Sequence, residues 1–544
     1  MRSRFPLLIL LLFGCLLASC TRDNSRQEKS TFHLNLVAGL ESLDPAFAKD
    51  NNTMWAAHMI YNTLVETDTQ LHLIPSLAKR WEVSGDGLLY TFTLHDSVYF
   101  QDNPLFPDGK GRRMTAADVV YSFNRLIDPK VASSGAWIFN DRVDEVRPFT
   151  AVNDTTIEIK LKAPFRPLPE ILSMPYCSII PREVAEHWGK DYRSHPCGTG
   201  PFQFKMWDEG NMLTLHRNPH YWERDEAGER LPYLDAIQIS FFDSKATEFL
   251  LFLQKKLHFV NGIDGSFKDL VLSKNGVLKP EFAKQFQLKK GVYLNTEYLG
   301  FNIDSTNPAI RNSPVRHKLV RQAINYAIDR KKIVTYFKNG AGIPATGGFT
   351  PPGMAGFEEI PTYGYTYNPA KAAKLLVEAG FPQGKGLDPI KIYTPDNFAD
   401  IVNFVASQLQ DIGIRLQVEI MQPGILKEQM SKSTAAFFRA QWIADYPDAE
   451  TYLAFFNSRF PAPPNYTRFN STLFDQMYDQ SMNAPDTVRW ALYRQMDSLA
   501  ISQASVVPLY YDQRLHFLQK NVTGLTSTPM NLIDLKRVRL AQGR

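Results

Sequence analysis

The segment 380–386, which reads GFPQGKG, is the part of this sequence that comes nearest to a motif with chemistry of its own. A P-loop holds phosphate with backbone N–H groups and a lysine, and holds magnesium with a Ser or Thr after that lysine. This segment is one residue too short and has Gly386 where the hydroxyl would stand. The histidines are scattered, and HExxH and G-x-S-x-G are absent. We therefore expect no enzyme, no catalytic residue and no cofactor, although a dispersed triad leaves an exported hydrolase as an alternative.

The first twenty residues have the composition of an export signal. Arg2 and Arg4 precede an apolar run over residues 5–18, which is too short to cross a hydrocarbon core of about 30 Å comfortably. The run ends in Leu-Ala-Ser-Cys, which resembles the cleavage site of bacterial lipoproteins and indicates lipidation of Cys20. A plain secretory signal is the alternative. We expect a signal peptide over 1–19 and a flexible tether over 20–30 that anchors the protein to the cell envelope on the periplasmic or extracytoplasmic face.

Cys177 and Cys197 are the cysteines of the body that follows the signal. Two single cysteines without a CxxC pair lack the spacing of a metal site, so we expect no metal. An exported protein can hold a disulfide, which here would close a loop of about 20 residues and stabilise the fold by roughly 3 kcal/mol. We predict this disulfide, with two buried thiols as the alternative.

Length and charge narrow the class of protein. A chain of 544 residues is too long for one hydrophobic core and favours about three domains. With 60 Lys and Arg against 56 Asp and Glu, it has no basic field that would attract nucleic acid. No apolar run after the signal approaches the roughly 18 residues of a membrane-spanning helix. We therefore expect a body that lies outside the membrane and binds no nucleic acid.

The predicted elements alternate between strands and helices. Apolar and polar residues alternate over 90–95 and 414–420, which predicts half-buried strands. Thr115, with Asp118 three residues on, has the pattern of a capping box at a helix start. Another helix is predicted to stop at Gly413, directly before a strand. This alternation predicts an α/β fold.

An ordered set of short segments runs through the body of the chain: ESLDP (41–45), IYNTLVE (60–66), PSLAKRWEVS (75–84), MTAADVVYSF (114–123), GTGPF (198–202), RNPHYW (217–222), YLGFN (298–302) and WIADYP (442–447). Each segment alone is a weak signal. In this order, they resemble the bacterial extracellular solute-binding proteins of family 5, the peptide-binding lipoproteins of ABC importers.

The resemblance implies a two-lobed, hinged periplasmic-binding-protein fold of type II, in the large cluster with an extra inserted subdomain. The first lobe would be discontinuous, and the implied boundaries are 31–55 with 192–288 and 506–544 for that lobe, 56–191 for the inserted subdomain and 289–505 for the second lobe.

The resemblance also implies a function. The protein would capture di- to oligopeptides in the cleft between the lobes and deliver them to permease subunits that work with an ATPase. Its partners would be the peptide, the permease and, through the lipid, the membrane, and it would act as a monomer. The same fold binds nickel chelates, sugars and other solutes, which remain the alternative.

A carrier of many peptides must bind the groups that all peptides share. The α-ammonium needs an anion, and the terminal carboxylate needs a cation, ideally an arginine. Asp445 matches the family position that holds the ligand's amino terminus; the alternative is that it caps a turn before Pro447. Trp442 would form an aromatic wall beside it; the alternative is a core residue on a strand. Arg439 matches a family position that can meet the ligand's carboxylate, although a surface arginine is the alternative.

The remaining candidates would line the cleft. Gly39, Leu40 and Glu41 would offer backbone partners for the amides of the peptide. Tyr298 and Asn302 would lie at the entry to the second lobe, at the hinge or in the cleft. Gln441 departs from the family, in which many members have Gly, and would narrow the pocket.

Overall fold

The computed structural model describes residues 30–541. The predicted signal peptide, the lipidation site Cys20 and nearly all of the tether lie outside the described residues. Between residues 30 and 541, no helix has both the length and the apolar character needed to cross a membrane.

The strands of three or more residues are β1 (Thr31–Asn35), β2 (Val65–Thr67), β3 (Leu73–Pro75), β4 (Ala78–Val83), β5 (Leu89–Leu94), β6 (Phe149–Asn153), β7 (Thr156–Lys160), β8 (Phe202–Asp208), β9 (Met212–Arg217), β10 (Ala236–Ser240), β11 (Phe259–Asn261), β12 (Phe286–Phe301), β13 (Gly342–Pro344), β14 (Ile390–Thr394), β15 (Leu416–Ile420), β16 (Phe437–Ile443) and β17 (Val506–Gln519). Two-residue strands pair near the end of the chain: Val522–Thr523 with Arg539–Leu540, and Thr526–Ser527 with Ile533–Asp534.

The α-helices of seven or more residues are Asn51–Ile60, Ala116–Ile127, Arg182–Trp188, Lys245–Leu253, Gly265–Val271, Lys318–Ala327, Pro369–Glu378, Ala399–Gln410, Pro423–Ser431, Thr472–Ser481 and Asp486–Ser502. Shorter α-helices are Leu168–Leu172, Pro280–Ala283, Pro308–Arg311, Arg330–Lys332 and Glu450–Leu453.

Three sheets carry most of the strands. One has the order β1-β10-β9-β8, and another has the order β4-β5-β7-β6. The largest has the order β11-β17-β12-β16-β14-β15, with β13 also paired to β17. Parallel and antiparallel pairs occur together, for β14 runs parallel to β15 while β12 runs antiparallel to β16 and β17. The predicted α/β fold is confirmed.

Two long strands connect the hydrophobic cores. Within β12, Phe286 packs in one core, Leu294 in the largest core, and Phe301 in a third. The antiparallel β17 likewise contributes Val507 and Phe517 to different cores. The paired strands β12 and β17 therefore link the hydrophobic cores.

Local signals correctly predicted several elements. Thr115 and Asp118 form the capping box of the helix Ala116–Ile127. The alternation over 90–95 corresponds to β5, whose Tyr90, Phe92 and Leu94 are buried while the residues between them are not. These patterns succeed because a helix cap and a strand's alternation depend on neighbouring residues only.

The predicted disulfide is wrong, because Cys177 and Cys197 are both buried free thiols. The Cys177 sulfur faces the carbonyl oxygen of Ile171 at 3.8 Å, whereas the Cys197 sulfur faces that of Gln101 at 3.6 Å. Burial raises the pKa of both thiols, that of Cys197 to about 12. The alternative of two buried thiols therefore holds, because the spacing of two cysteines does not determine where their sulfurs point.

Candidate ligand-binding site

Asp445 lies in the turn between β16 and the short helix Glu450–Leu453. The Thr451 hydroxyl donates a hydrogen bond to its carboxylate oxygen Oδ2, and the Asp445 backbone N–H donates to the same hydroxyl, both at 3.3 Å. Within the described part of the chain, no lysine, arginine or histidine forms an ion pair with Asp445. The carboxylate is therefore held in place but not neutralised.

The surroundings of Asp445 combine exposure with crowding. The residue as a whole is exposed to solvent. The protein nevertheless surrounds the carboxyl closely, and this loss of water raises the pKa of Asp445 to about 6, although the bond from Thr451 acts to lower it. A carboxylate without a cationic partner in such a place favours a cation from outside the chain.

A narrow cavity of about 40 Å³ opens at Asp445, and we call it the Asp445 cavity. It has room for a few water molecules or for one ammonium group, which is similar in size to water. Distant parts of the chain line it: Asn51, Met54 and Trp55; Thr67; Ser173 to Pro175; Asp445 and Pro447; and Thr528, Met530 and Leu532. The cavity is thus lined by segments that are far apart in the sequence.

Asn51 also lines a second cavity of about 410 Å³, which we call the cationic cavity. Lys268, Lys338, Arg514 and Asp512 face it. Lys338 pairs with Asp512 at 3.2 Å, whereas the Arg514 guanidinium donates to the carbonyl oxygens of Val292 and Ser527 at 2.8 and 3.1 Å. The cationic cavity therefore carries a net positive charge.

Trp442 lies behind the site rather than in it. Its indole N–H donates to the carbonyl oxygen of Thr451 at 3.0 Å, and its ring meets the edge of Phe455 at 5.3 Å. It is not among the residues that line the Asp445 cavity. Trp442 thus anchors the helix whose Thr451 bonds Asp445, and its role as an aromatic wall stays a prediction.

Arg439 is not available to a ligand carboxylate. Its guanidinium pairs with Glu297 on the neighbouring strand β12, and the two side chains are 8% and 4% exposed. The guanidinium also lies over the ring of Phe398, 3.0 Å from its centroid. Arg439 is thus neither the predicted ligand contact nor a surface residue, because an internal anion already neutralises it.

Tyr298 and Asn302 are also structural residues. Both are fully buried. Tyr298 packs edge-on against Phe349 and Phe455, at 5.1 and 5.6 Å. The Asn302 side chain accepts a hydrogen bond from the backbone N–H of Asp304 at 3.0 Å and so holds the turn after β12. Their side chains point into the protein rather than into a cleft in this conformation, and their predicted place at the hinge stays a prediction.

Comparison with known proteins shows the family to which the chain belongs. The model of the bacterial extracellular solute-binding proteins, family 5 Middle, matches residues 72–463, which is well over half of the chain. The chain belongs to this family of solute-binding proteins.

Relatives of this family-5 protein resemble it along nearly the whole chain. The glutathione-binding proteins GsiB of Salmonella paratyphi A and of Escherichia coli O157:H7 are 26% identical to it, over 90% of each chain. Among solved structures, HbpA2 from Haemophilus parasuis has a TM-score of 0.81 at 24% identity, covering 94% of this chain and all of that one. DppA from Helicobacter pylori, solved with the peptide STSA, has a TM-score of 0.71 at 24% identity, over 94% of this chain and 99% of that one.

The comparisons establish the class of the protein. It has the mixed α/β, two-lobed fold of periplasmic binding proteins, as the resemblance implied. It is a solute-binding protein of ABC importers, a family of substrate-binding transport proteins. Within residues 30–541, no group of three or more His, Cys, Asp or Glu side chains is arranged to hold a metal ion.

The segment Gly39-Leu40-Glu41 of this family-5 protein lies beside the start of the helix Asn51–Ile60. The Asn52 side chain, next to Asn51 of the Asp445 cavity, donates to the carbonyl oxygens of Val37 and Gly39 at 2.7 and 3.0 Å. Leu40 is partly buried, and the exposed Glu41 pairs with Lys49 on the surface. The role of the segment Gly39-Leu40-Glu41 in binding peptide amides stays a prediction.

Sequence reasoning missed Thr451, Thr528 and Arg514. Thr451 follows Asp445 by six residues at a helix start, so its position beside the carboxylate had a local signal. Thr528 and Arg514 had none, because they come from the end of the chain and meet the site only through the fold.

Proposed function

We propose that this solute-binding protein captures short peptides by their free amino terminus and that Asp445 pairs with the α-ammonium. The observation that carries the proposal is the unneutralised Asp445 carboxylate in the lining of a narrow cavity. An ammonium group supplies the missing positive charge and fits the narrow cavity. A peptide presents this group whatever its side chains are, which suits a carrier of many sequences.

The charge of the neighbouring cavity supports a ligand with two charged ends. The cationic cavity shares Asn51 with the Asp445 cavity and contains Lys268 and Arg514. A peptide whose ammonium lies on Asp445 can extend past Asn51, so that its carboxylate meets these cations. Arg514 thus takes the role that the resemblance implied for Arg439.

The ligands named for several related proteins are also peptides. The curated relatives are named for glutathione, which is a tripeptide with a free amino group, and one solved relative contains the peptide STSA. Another relative, from Pseudoalteromonas, was solved with the dipeptide Met-Leu. Other solutes, such as sugars, lack the ammonium that Asp445 requires.

The transport role completes the proposal. Lipidated Cys20 anchors the protein to the membrane, and the tether lets the body reach the permease as a monomer. The lobes follow the boundaries implied by the resemblance, with 289–505 closing on the first lobe about β12 and β17. Contacts of one ligand with both lobes stabilise the closed form, which the permease recognises.

Identification of the retained ligand tests the proposal. The protein is purified from a bacterial host without denaturation, and small molecules released by acid are identified by mass spectrometry. We expect peptides with unmodified amino termini, and titration calorimetry of the stripped protein with Ala-Ala-Ala and with glutathione should then show binding. Retention of a sugar or a metal chelate, together with no heat from any peptide, would overturn the proposal.

A further inference from the structure

A third cavity, of about 250 Å³, adjoins the Asp445 cavity. The two share four lining residues, Thr67, Ser173, Thr528 and Leu532, so they lie on either side of a common wall. We call it the acidic cavity because its charged lining consists of Glu66, Asp68, Glu223 and Asp534 against Lys536 and Arg537, with His58 at the same wall.

The carboxylates of the acidic cavity outnumber its cations. Lys536 is the buried cation, and its ammonium group lies 2.9 Å from Glu223, 3.3 Å from Glu66 and 4.0 Å from Asp534. One positive charge is thus shared among three carboxylates, and Arg537 is exposed to solvent. Burial alone would raise the pKa of Glu66, but Lys536, His58 and the Ser76 hydroxyl lower it to about 2, so this carboxylate is charged at neutral pH. The cavity therefore has a formal excess of two negative charges when His58 is neutral.

A second, independent observation points to a ligand. Thr528 is only 8% exposed, and its hydroxyl has no hydrogen-bond partner in the described part of the chain. A buried hydroxyl without a partner costs free energy. Thr528 lines both the Asp445 cavity and the acidic cavity, so its unpartnered hydroxyl belongs to a residue in the wall that the two cavities share.

We propose that the acidic cavity binds a cationic side chain on the first residue of the peptide, and that the Thr528 hydroxyl bonds the ligand where the two cavities join. The inference rests on the proposed function, because the α-ammonium on Asp445 sets the position of the first residue. The α-carbon carries both the ammonium and the side chain. The side chain of the first residue is therefore the part of the ligand nearest the acidic cavity, and lysine or arginine supplies the positive charge that the cavity lacks.

Matched peptides test the inference. Lys-Ala-Ala is compared by titration calorimetry with norleucine-Ala-Ala, which has a similar length of side chain without the charge, and with Glu-Ala-Ala. A charge-assisted contact predicts that the lysine peptide binds about tenfold to a hundredfold more tightly than the norleucine peptide. The preference should weaken as salt is added.

Two variants locate the preference. Asp534→Asn keeps the Oδ1 acceptor that receives the Lys536 backbone N–H at 2.8 Å, but removes one negative charge, so it should reduce the lysine preference. Thr528→Val should weaken the binding of every free-amine peptide severalfold without lowering the melting temperature, because the native protein loses no hydrogen bond. Ser505→Ala, which removes another buried unpartnered hydroxyl that lines none of these cavities, is the control and should leave affinity unchanged.

Equal affinities for the lysine and norleucine peptides, or tighter binding of the glutamate peptide, would overturn the inference and leave the proposed function standing. Failure of all three peptides to bind would overturn both. An unaltered lysine preference in Asp534→Asn, together with wild-type affinity in Thr528→Val, would also contradict the assignment of this cavity.

Discussion

Arg439 and Glu297 form an ion pair between adjacent strands, and both side chains are more than nine-tenths buried. Asp445, six residues after Arg439 on the same segment, has no cationic partner among residues 30–541. Both residues were expected to bind a charged end of the ligand, but only Asp445 lacks a partner of opposite charge among residues 30–541. The arginine is neutralised by its own chain, and the aspartate is left for a ligand.

Arg439→Met should destabilise the protein without altering its ligand affinity. The change leaves Glu297 buried without its partner, which costs about 3–5 kcal/mol of unfolding free energy. Urea denaturation measures the loss. The double variant Arg439→Met with Glu297→Leu is the control and should recover most of the stability, because no buried charge remains. A stable Arg439→Met protein that has lost peptide affinity would restore the ligand role of Arg439.

Peptide affinity should fall as the pH decreases below about 6. The pKa of Asp445 is raised to about 6 by burial, and only the ionised carboxylate pairs with an ammonium. Below that pH, the affinity should decrease by up to about tenfold per pH unit, and towards about pH 8 it should fall slightly again, because the α-amino group of the peptide, with a pKa of about 7.7–8.0, loses its proton. Calorimetry from about pH 8 to about pH 4.5 measures the profile. Asp445→Asn should flatten it, and an equally steep profile in that variant would assign the proton to another group.

The raised pKa of Asp445 also affects the stability of the protein without ligand: protonation, which should weaken peptide binding, should stabilise the folded state. Because the folded-state pKa of Asp445 lies above its usual value of 3.8, the native state binds the proton more tightly than the unfolded state does. This group therefore favours folding at low pH, and its contribution is lost as the pH rises through about 6. The difference in unfolding free energy between wild type and Asp445→Asn should accordingly grow from about pH 4 to about pH 7, with the wild type becoming relatively less stable. A constant difference would contradict the raised pKa.

Gly348→Ala should destabilise the protein. The Asp497 carboxylate accepts hydrogen bonds from the backbone N–H groups of Phe349 and Thr350, at 3.0 and 3.1 Å, and from the Tyr363 hydroxyl. A Cβ at residue 348 would overlap the Asp497 oxygen Oδ2, so the buried network must shift, at a cost of about 1–3 kcal/mol. Thermal unfolding measures the loss. Gly85→Ala, in open space, is the control and should be nearly neutral.

The thiols of Cys177 and Cys197 should be present but slow to react. Both are buried, and burial raises the pKa of each, so little thiolate forms at neutral pH. An alkylating reagent should label neither in the folded protein and both after denaturation without reductant, as peptide mapping can establish. Labelling that requires prior reduction would show that a disulfide exists.

Local patterns predicted the elements, whereas the state of the site depended on distant residues. Thr115 and Asp118 are three residues apart, so their capping box was visible in the sequence. Arg439 and Glu297 are 142 residues apart, and nothing near Arg439 indicates that its charge is already neutralised. The position of Asp445 followed from family resemblance, but its lack of a cationic partner is a property of the packed structure.

Thr528 and Arg514 could not be predicted as site residues because they are distant in sequence from the residues that they meet. Thr528 lies far along the chain from Thr67 and Ser173, with which it lines two cavities. Its hydroxyl has no hydrogen-bond partner in the described part of the chain because of how these distant segments pack, and no sequence pattern predicts this. Arg514 similarly lies in an ordinary strand, and only the arrangement of β17 brings it to the cationic cavity.

The most direct test of the central claim is calorimetry of Ala-Ala-Ala and N-acetyl-Ala-Ala-Ala with wild type, with Asp445→Asn and with the surface control Asp388→Asn. We predict that wild type and Asp388→Asn bind only the free-amine peptide, and that Asp445→Asn loses about 3–5 kcal/mol of its binding free energy for that peptide. Equal affinity of wild type for the free and acetylated peptides, or unchanged affinity in Asp445→Asn, would show that Asp445 does not hold the ligand's amino terminus.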